Sequence, residues 1–361
     1  MSESEQVSHG GITVREAAAC FGLDVCSSRR ISGGFSGAAV FRATDVHSRR
    51  FAIRLIPLEM SLPEQRLDLL HSMLCCVQQH GQSGIAIPLC PLRDLQRRME
   101  PLRAGRPSSC VLGNFRVHAE PWIDGLPVEG VPTPEQLSHS MTYLSSLHQR
   151  LKTAVSVLPE NSWFFLRTGI SPGLLRRIRM ISELLHGGLE ALLSNCEMDL
   201  DSEFRKLAAR TGNIVRIWLP QLKSLTSPIE AKSFLLQPVL RDVWRPHVLF
   251  QNNEVSGVID VMSAASDHPV LDYARLFRSW FGSDWIAIEA AYLELAEHCH
   301  LNAAERLLLK SIDACSSILS PITWLNRRIA SVRTFPLDED KRSRMEEVVR
   351  IAESFRLVPL T

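Results

Sequence analysis

Apolar residues recur along this chain with two periods, and the switch between them divides it. The first 12 residues carry no apolar pattern and are expected to be disordered. Thr13-Val14-Arg15-Glu16 then has the form of a capping box and opens a short helix through Ala19 and Phe21 that Gly22 can end. From Ser27 to Leu55 short alternating runs predict three antiparallel strands, joined by Gly33-Gly34-Phe35-Ser36-Gly37 and by the polar stretch Asp45 to Arg49. Leu67, Leu70, Leu74 and Val77 then recur at helical spacing between Pro63 and Gly81. Strands are expected around Ile85 to Leu92 and Val111 to Pro121. From Thr133 the helical period dominates: one helix carries Leu144-Ser145-Ser146-Leu147-His148, and amphipathic helices cover Leu174 to Leu193 and Ser202 to Leu222. Further helices are predicted from Ser283 to His300, Asn302 to Ile318, Pro321 to Val332 and Leu337 to Phe355.

Between Leu235 and Leu276 the chain returns to the strand period. An apolar run ends at Leu240, a loop carries Arg241 and Asp242, and a strand Val248-Leu249-Phe250 follows. Asn252-Asn253 can adopt the left-handed conformations of a tight hairpin, leading into a strand from Val255 to Ile259, with Asp260 directly after it. One carboxylate just before the first strand and one just after the second come to the same end of the hairpin. That geometry suits holding a metal and a nucleophile together.

Composition narrows the classes. The chain has 361 residues, 45% hydrophobic and 22% charged, ordinary for a globular protein and enough for two lobes. A formal net charge of +1 gives no electrostatic case for nucleic acid or an anionic membrane. MSESEQVSHGG lacks the apolar core of a signal peptide, and no apolar run reaches spanning length. Nine cysteines, an odd number without a C-x-x-C pair, point to free thiols in a reducing cytoplasm. Glu297-His298-Cys299-His300 mimics a metal cluster, but neighbours on a helix point to different faces, so it reads as a helix end.

The Leu235 to Leu276 stretch resembles the core of the aminoglycoside phosphotransferase and choline kinase-like family, a small-molecule branch of the protein-kinase fold. The residues that carry the likeness are Leu240-Arg241-Asp242, His247, Ile259-Asp260, Asp267 with Pro269, and Asp272-Tyr273-Ala274. The resemblance implies an α+β, protein-kinase-like two-lobe fold. Residues 13–124 would form a small antiparallel sheet lobe with a helix, binding nucleotide, and 125–361 a larger, mainly helical lobe with the catalytic loop and acceptor site. It implies ATP and Mg2+ or Mn2+ as cofactors and a small-molecule acceptor, with the oligomeric state left open. Asp242 becomes the carboxylate that receives or orients the attacking hydroxyl's proton, and Asp260 a metal ligand. Asp267 and Asp272 would brace the loop and helix that follow. Gly33, Gly34 and Ser36 would cover the phosphates through backbone N–H groups, and Arg54 would contact them from the third strand. Either Glu64 or Asp68, on the following helix, would pair with Arg54. In the hinge tract His118 to Gly125, Pro121 would offer its carbonyl and Ile123 its amide to adenine.

Departures from the family pattern open a second reading. Arg54 stands where the family has lysine, and a planar guanidinium is not interchangeable with an ammonium. His247 stands where the family has an asparagine oxygen near the metal, so the site should bind Mg2+ less well and suit a softer ion, or meet phosphate instead. Arg245 is a candidate for an anionic acceptor group or a solvated side chain. The first reading is therefore an ATP-dependent kinase acting on a hydroxyl or amine of a small molecule; the alternative is a catalytically impaired kinase-like module that binds nucleotide or a partner. A protein kinase fits less well, because Asp260-Val261-Met262 replaces its D-F-G motif.

Overall fold

The computed structural model describes residues 8–31, 38–92, 107–156, 158, 163–330 and 338–357. In chain order its first elements are β1 (Ser8–His9), β2 (Ile12–Thr13), α1 (Val14–Ala19), β3 (Val25–Ile31), β4 (Ala39–Asp45), β5 (Arg50–Pro57), α2 (Glu64–Gln79), β6 (Cys110–Leu112), β7 (Phe115–Pro121), β8 (Leu126–Pro127) and α3 (Pro134–Val155). Then follow β9 (Arg167–Gly169), α4 (Pro172–Glu183), α5 (Leu189–Glu197), α6 (Ser202–Thr226), β10 (Phe234–Val239), β11 (Val248–Gln251), β12 (Glu254–Val258), β13 (Ala265–Asp267), α7 (Val270–Phe281), α8 (Trp285–His298), α9 (Ala303–Ala330) and α10 (Glu339–Glu353). Contacts divide the chain into two compact units, residues 1–127, 142–165 and 246–264 in one and residues 128–141, 166–245 and 265–361 in the other.

The first unit is built on an antiparallel five-stranded sheet in the order β3-β4-β5-β7-β6. Strict alternation of buried and half-buried residues along β4 shows why it forms. Phe41, Ile53, Leu55, Val117 and Ala119 turn one face of the sheet onto Val14, Ala17 and Ala18 of α1. That helix starts as its sequence predicts, with Thr13 and Glu16 satisfying each other's amides in a capping box. On α2, the expected stop at Gly81 is a residue at φ 85°.

Two expectations for this unit are corrected. The span Val111 to Pro121 is a hairpin rather than one strand, because Gly113 turns the chain at φ 56°. Ile85 to Leu92 forms no strand; only Ile85 makes a bridge, parallel, to Val258. Pro88 and Pro91 supply no N–H and cannot sustain a ladder. The segment still runs tight against β12: a Cβ on Gly84 would lie 2.5 Å from the Ser256 carbonyl oxygen. The β11–β12 hairpin belongs to this unit and is extended by β8. Its turn residues Asn252 and Asn253 have φ 49° and 67°, the left-handed pair a two-residue hairpin requires.

The second unit holds a three-stranded sheet, β13-β10-β9, among helices. Here too helix boundaries differ from the periodic pattern. The span Leu174 to Leu193 is broken at Gly187, whose φ of 98° separates α4 from α5. Conversely, α9 runs continuously through Pro321, where two helices were expected. One proline removes a single intrahelical bond, and the buried Ile318, Ile322, Trp324 and Leu325 around it hold the helix together by packing. Among the described residues no helix is long and apolar enough to cross a membrane.

Candidate functional site

Strand alternation fixes where the charged side chains of the first unit point. In β5 the residues facing the core are Phe51, Ile53 and Leu55, so Arg54 projects from the opposite face. There it spans two carboxylates. Its Nε and Nη2 donate to Glu120 Oε1 at 3.3 and 3.0 Å, and its Nη1 donates to Asp260 Oδ1 at 3.0 Å. Burial works against the guanidinium's charge, but the carboxylates of Glu120 and Asp260 outweigh it and hold Arg54 protonated well above its ordinary range. The same cation, with burial as the larger cause, helps push His118 down to about 3, so this ring is neutral at physiological pH.

Asp260 follows β12 in the left-handed conformation, φ 61°. The preceding amide, Ile259 N–H, donates to the His247 carbonyl at 2.9 Å and locks the two ends of the hairpin together. His247 Nε2 consequently lies 3.6 Å from Asp260 Oδ2. Within this unit, then, Arg54, Asp260 and His247 come together. The available donors are a carboxylate oxygen and an imidazole nitrogen. They fit a divalent cation that accepts nitrogen, such as Mn2+, better than Mg2+, which demands oxygen.

The expected partner of Arg54 on α2 is corrected. Glu64 lies 3.9 Å from Arg116 and is more than half exposed. Asp68 accepts the backbone N–H of Ser108 at 3.1 Å. Burial, helped by the nearby Glu64 charge, raises the Asp68 carboxyl to about 6 despite that bond. Glu120, on β7, takes the place expected of them. Sequence reasoning missed it, although a signal existed: Arg116, His118 and Glu120 alternate along a strand whose other face is apolar, so the polar face needed a charged counterpart.

Pro121 ends β7 opposite Phe51, and Ile123 lies just beyond, after Trp122 N–H has bonded to the Arg50 carbonyl at 2.9 Å. Both line a cavity of about 450 Å³ with His71 and Cys75 of α2 and Ile85. Gly33, Gly34 and Ser36 lie outside the described residues.

In the second unit the loop after β10 carries Asp242. Asp272, fully buried on α7, accepts the backbone N–H groups of Leu240 at 2.9 Å and Arg241 at 2.6 Å. These bonds hold Arg241 at φ 67° and set the start of the loop. Its far end is tied by Arg245 N–H to Ser279 Oγ at 2.8 Å, and the Arg344 guanidinium sits 4.7 Å from the Trp244 ring. The Arg245 side chain pairs with Glu347 at 3.7 Å. The Asp242 carboxylate itself is ion-paired with Arg275 of α7, a second charged partner the sequence reading did not single out. Asp267 accepts Ser171 Oγ at 2.6 Å and Gly173 N–H at 2.7 Å, bracing the start of α4.

The profile described as the phosphotransferase enzyme family matches residues 27–308. No curated protein sequence matches the chain. Among solved structures, it is similar to an aminoglycoside phosphotransferase from Alicyclobacillus acidocaldarius, at 14% identity and TM-score 0.58 over 96% of this chain and 94% of that one. A spectinomycin phosphotransferase in complex with ADP and spectinomycin gives 16% identity and TM-score 0.59, with 94% and 96% covered. An amicoumacin kinase in complex with AMP-PNP, Ca2+ and Ami gives 11% identity and TM-score 0.61, with 96% and 94% covered. At such identities the likeness establishes the α+β kinase-like fold.

Proposed function

The chain belongs to the phosphotransferase enzyme family, and from that premise we propose that it transfers the γ-phosphoryl group of ATP to a hydroxyl or amine of a small molecule. The observation that carries the reading is the grouping of Arg54, Asp260 and His247, which offers a cation for phosphate oxygens beside a carboxylate and an imidazole for a metal. Similar structures hold ADP or AMP-PNP, which supports a nucleotide as donor. Asp260 and His247 are the residues of the first unit that would hold a divalent ion, and the ion would neutralise charge on the transferring phosphates. Arg54 keeps two N–H groups for phosphate after its bonds to the two carboxylates. Asp242 accepts the proton of the attacking group, on a loop whose backbone Asp272 and Ser279 hold. Pro121 and Ile123 provide backbone groups for adenine.

The acceptor is a small molecule; spectinomycin and amicoumacin are substrates of similar proteins, and this chain's own acceptor follows from a screen. A second reading, nucleotide binding without turnover, is favoured by Arg54 already occupying Asp260 Oδ1. One assay separates them: ATP consumption with Mg2+ and with Mn2+ across hydroxyl and amine acceptors, using Asp242→Ala and Asp260→Ala as controls. The phosphotransferase reading expects turnover that both substitutions abolish and that Mn2+ supports better than Mg2+. Wild type that binds ATP yet is as inert as the variants would leave only the binding module. Wild type that binds no nucleotide would end both.

A further inference from the structure

The arginine that replaces lysine on β5 has changed its partner as well as its shape. We propose that Glu120 is a positioning residue for nucleotide binding: from the neighbouring strand it holds the Arg54 guanidinium in place, the task expected of a carboxylate on α2. The inference rests on the nucleotide-binding reading above and deepens it.

The sheet register makes the pairing possible. β5 and β7 run antiparallel with Arg54 opposite His118 and Ala52 opposite Glu120, so Arg54 and Glu120 are diagonal neighbours on one face. Their side chains are both nearly enclosed, 13% and 12% exposed. Two donors of one guanidinium converge on the single atom Oε1, which fixes its edge as well as its charge. The α2 carboxylates are engaged elsewhere, Asp68 with Ser108 and Glu64 beside Arg116.

The arrangement has a consequence for Asp260. Of the five N–H groups on the guanidinium, Glu120 takes two and Asp260 one, leaving one on each terminal nitrogen for phosphate. Without the Glu120 carboxylate the guanidinium loses its anchor on the sheet and can move wholly onto Asp260. That motion would mask both the phosphate-binding edge and the carboxylate a metal needs. Glu120 thus divides Arg54 between sheet and site, and its charge matters more than its volume.

The test is calorimetric titration of the full chain with AMP-PNP and Mn2+, on wild type and on Glu120→Gln, Glu120→Asp, Arg54→Met and the double variant Glu120→Gln/Arg54→Met, with thermal unfolding measured alongside. Glu120→Gln should weaken nucleotide affinity about tenfold, the worth of one charge-assisted hydrogen bond. Glu120→Asp, which keeps the charge, should fall between wild type and Gln, and Glu120→Gln should add nothing once Arg54 is Met. Should Glu120→Gln fail to fold, Glu120→Asp decides: affinity between wild type and Arg54→Met supports the role, and wild-type affinity overturns it. Unchanged affinity in folded Glu120→Gln, or the same loss with Arg54 already Met, overturns the inference while leaving nucleotide binding intact. Wild type that binds no nucleotide overturns the underlying reading instead, and this inference with it.

Discussion

Each unit carries one carboxylate to which we assign a part in the proposed phosphoryl transfer, and each is paired with an arginine of its own unit, yet the two pairs are built differently. Asp260 meets Arg54, which is 13% exposed, rooted in the middle of a sheet and held on its other edge by Glu120. Asp242 meets Arg275, which is 49% exposed on the surface of α7. In the first unit the side chains hold one another, and removing one leaves a charge stranded in a nearly closed space. In the second the backbone is held instead, by Asp272 at one end of the loop and Ser279 at the other, and the ion pair is added on top. A carboxylate can therefore be held by a buried charge network, as in the first unit, or on a braced loop, as in the second, and the two should fail in different ways.

The largest effect is expected where the charge network is broken. Arg54→Met leaves Glu120 buried without a counter-charge, and breaking a pair of that kind costs about 3 kcal/mol, the lower end of the usual range because Asp260 remains partly solvated. The denaturant midpoint should fall accordingly, with the slope unchanged. A cost below about 1 kcal/mol, the surface-pair range, would erase the contrast between the units. Next comes the braced loop: Asp272→Ala orphans the amides of Leu240 and Arg241, one of them fully enclosed, and should cost about 2 kcal/mol. Because the same change frees the loop carrying Asp242, turnover should fall further than the stability loss alone accounts for, read at a temperature where the variant is folded.

Motif spacing made the outline legible. The hairpin and its Asn252-Asn253 turn could be read from residue types, because both depend on local chain geometry, whereas Asp272, expected to brace the loop and helix after Asp260, instead holds the amides of Leu240 and Arg241, 32 and 31 residues away. What stayed hidden depends on pairings across the fold. The alternation of Arg116, His118 and Glu120 marks a polar strand face, but that Glu120 meets Arg54 is decided by the β5–β7 register. Arg275 reaches Asp242 because Asp272 draws the loop against the helix that carries both. Prolines were misleading in both directions: Pro88 and Pro91 undid an expected strand, while Pro321 failed to interrupt a helix whose packing outweighed one lost bond.

A pH experiment probes the same point from α2. If Asp68 were the partner of Arg54, its carboxyl would be held below the ordinary value; instead burial raises it from 3.8 to about 6. The folded state then binds the proton more tightly than the unfolded chain does, so stability is lost as pH rises from about 4 through 6 and stays lower above that window. Asp68→Asn keeps an acceptor for Ser108 and removes the titration. It should gain about 1–2 kcal/mol at pH 7.5, less than the full shift implies because water screens a partly exposed group, and match wild type near pH 3. Unfolding curves across this range check it, and a loss of stability at pH 7.5 would return the Arg54 partnership to α2.

The smallest effect belongs to Arg275→Ala, and its smallness is the point. The pair with Asp242 is half-exposed, and such pairs are worth up to about 1 kcal/mol once side-chain entropy and screening are counted. The Asp242 loop keeps its amide bonds to Asp272 and its tie to Ser279 in this variant, so the backbone that presents the carboxylate should not move. Stability within about 1 kcal/mol of wild type, together with amide hydrogen exchange in the loop as slow as before, is the expected result. A loss above about 2 kcal/mol with faster exchange at Leu240 and Arg241 would mean that the ion pair holds the loop after all, and that both units position their carboxylates by charge.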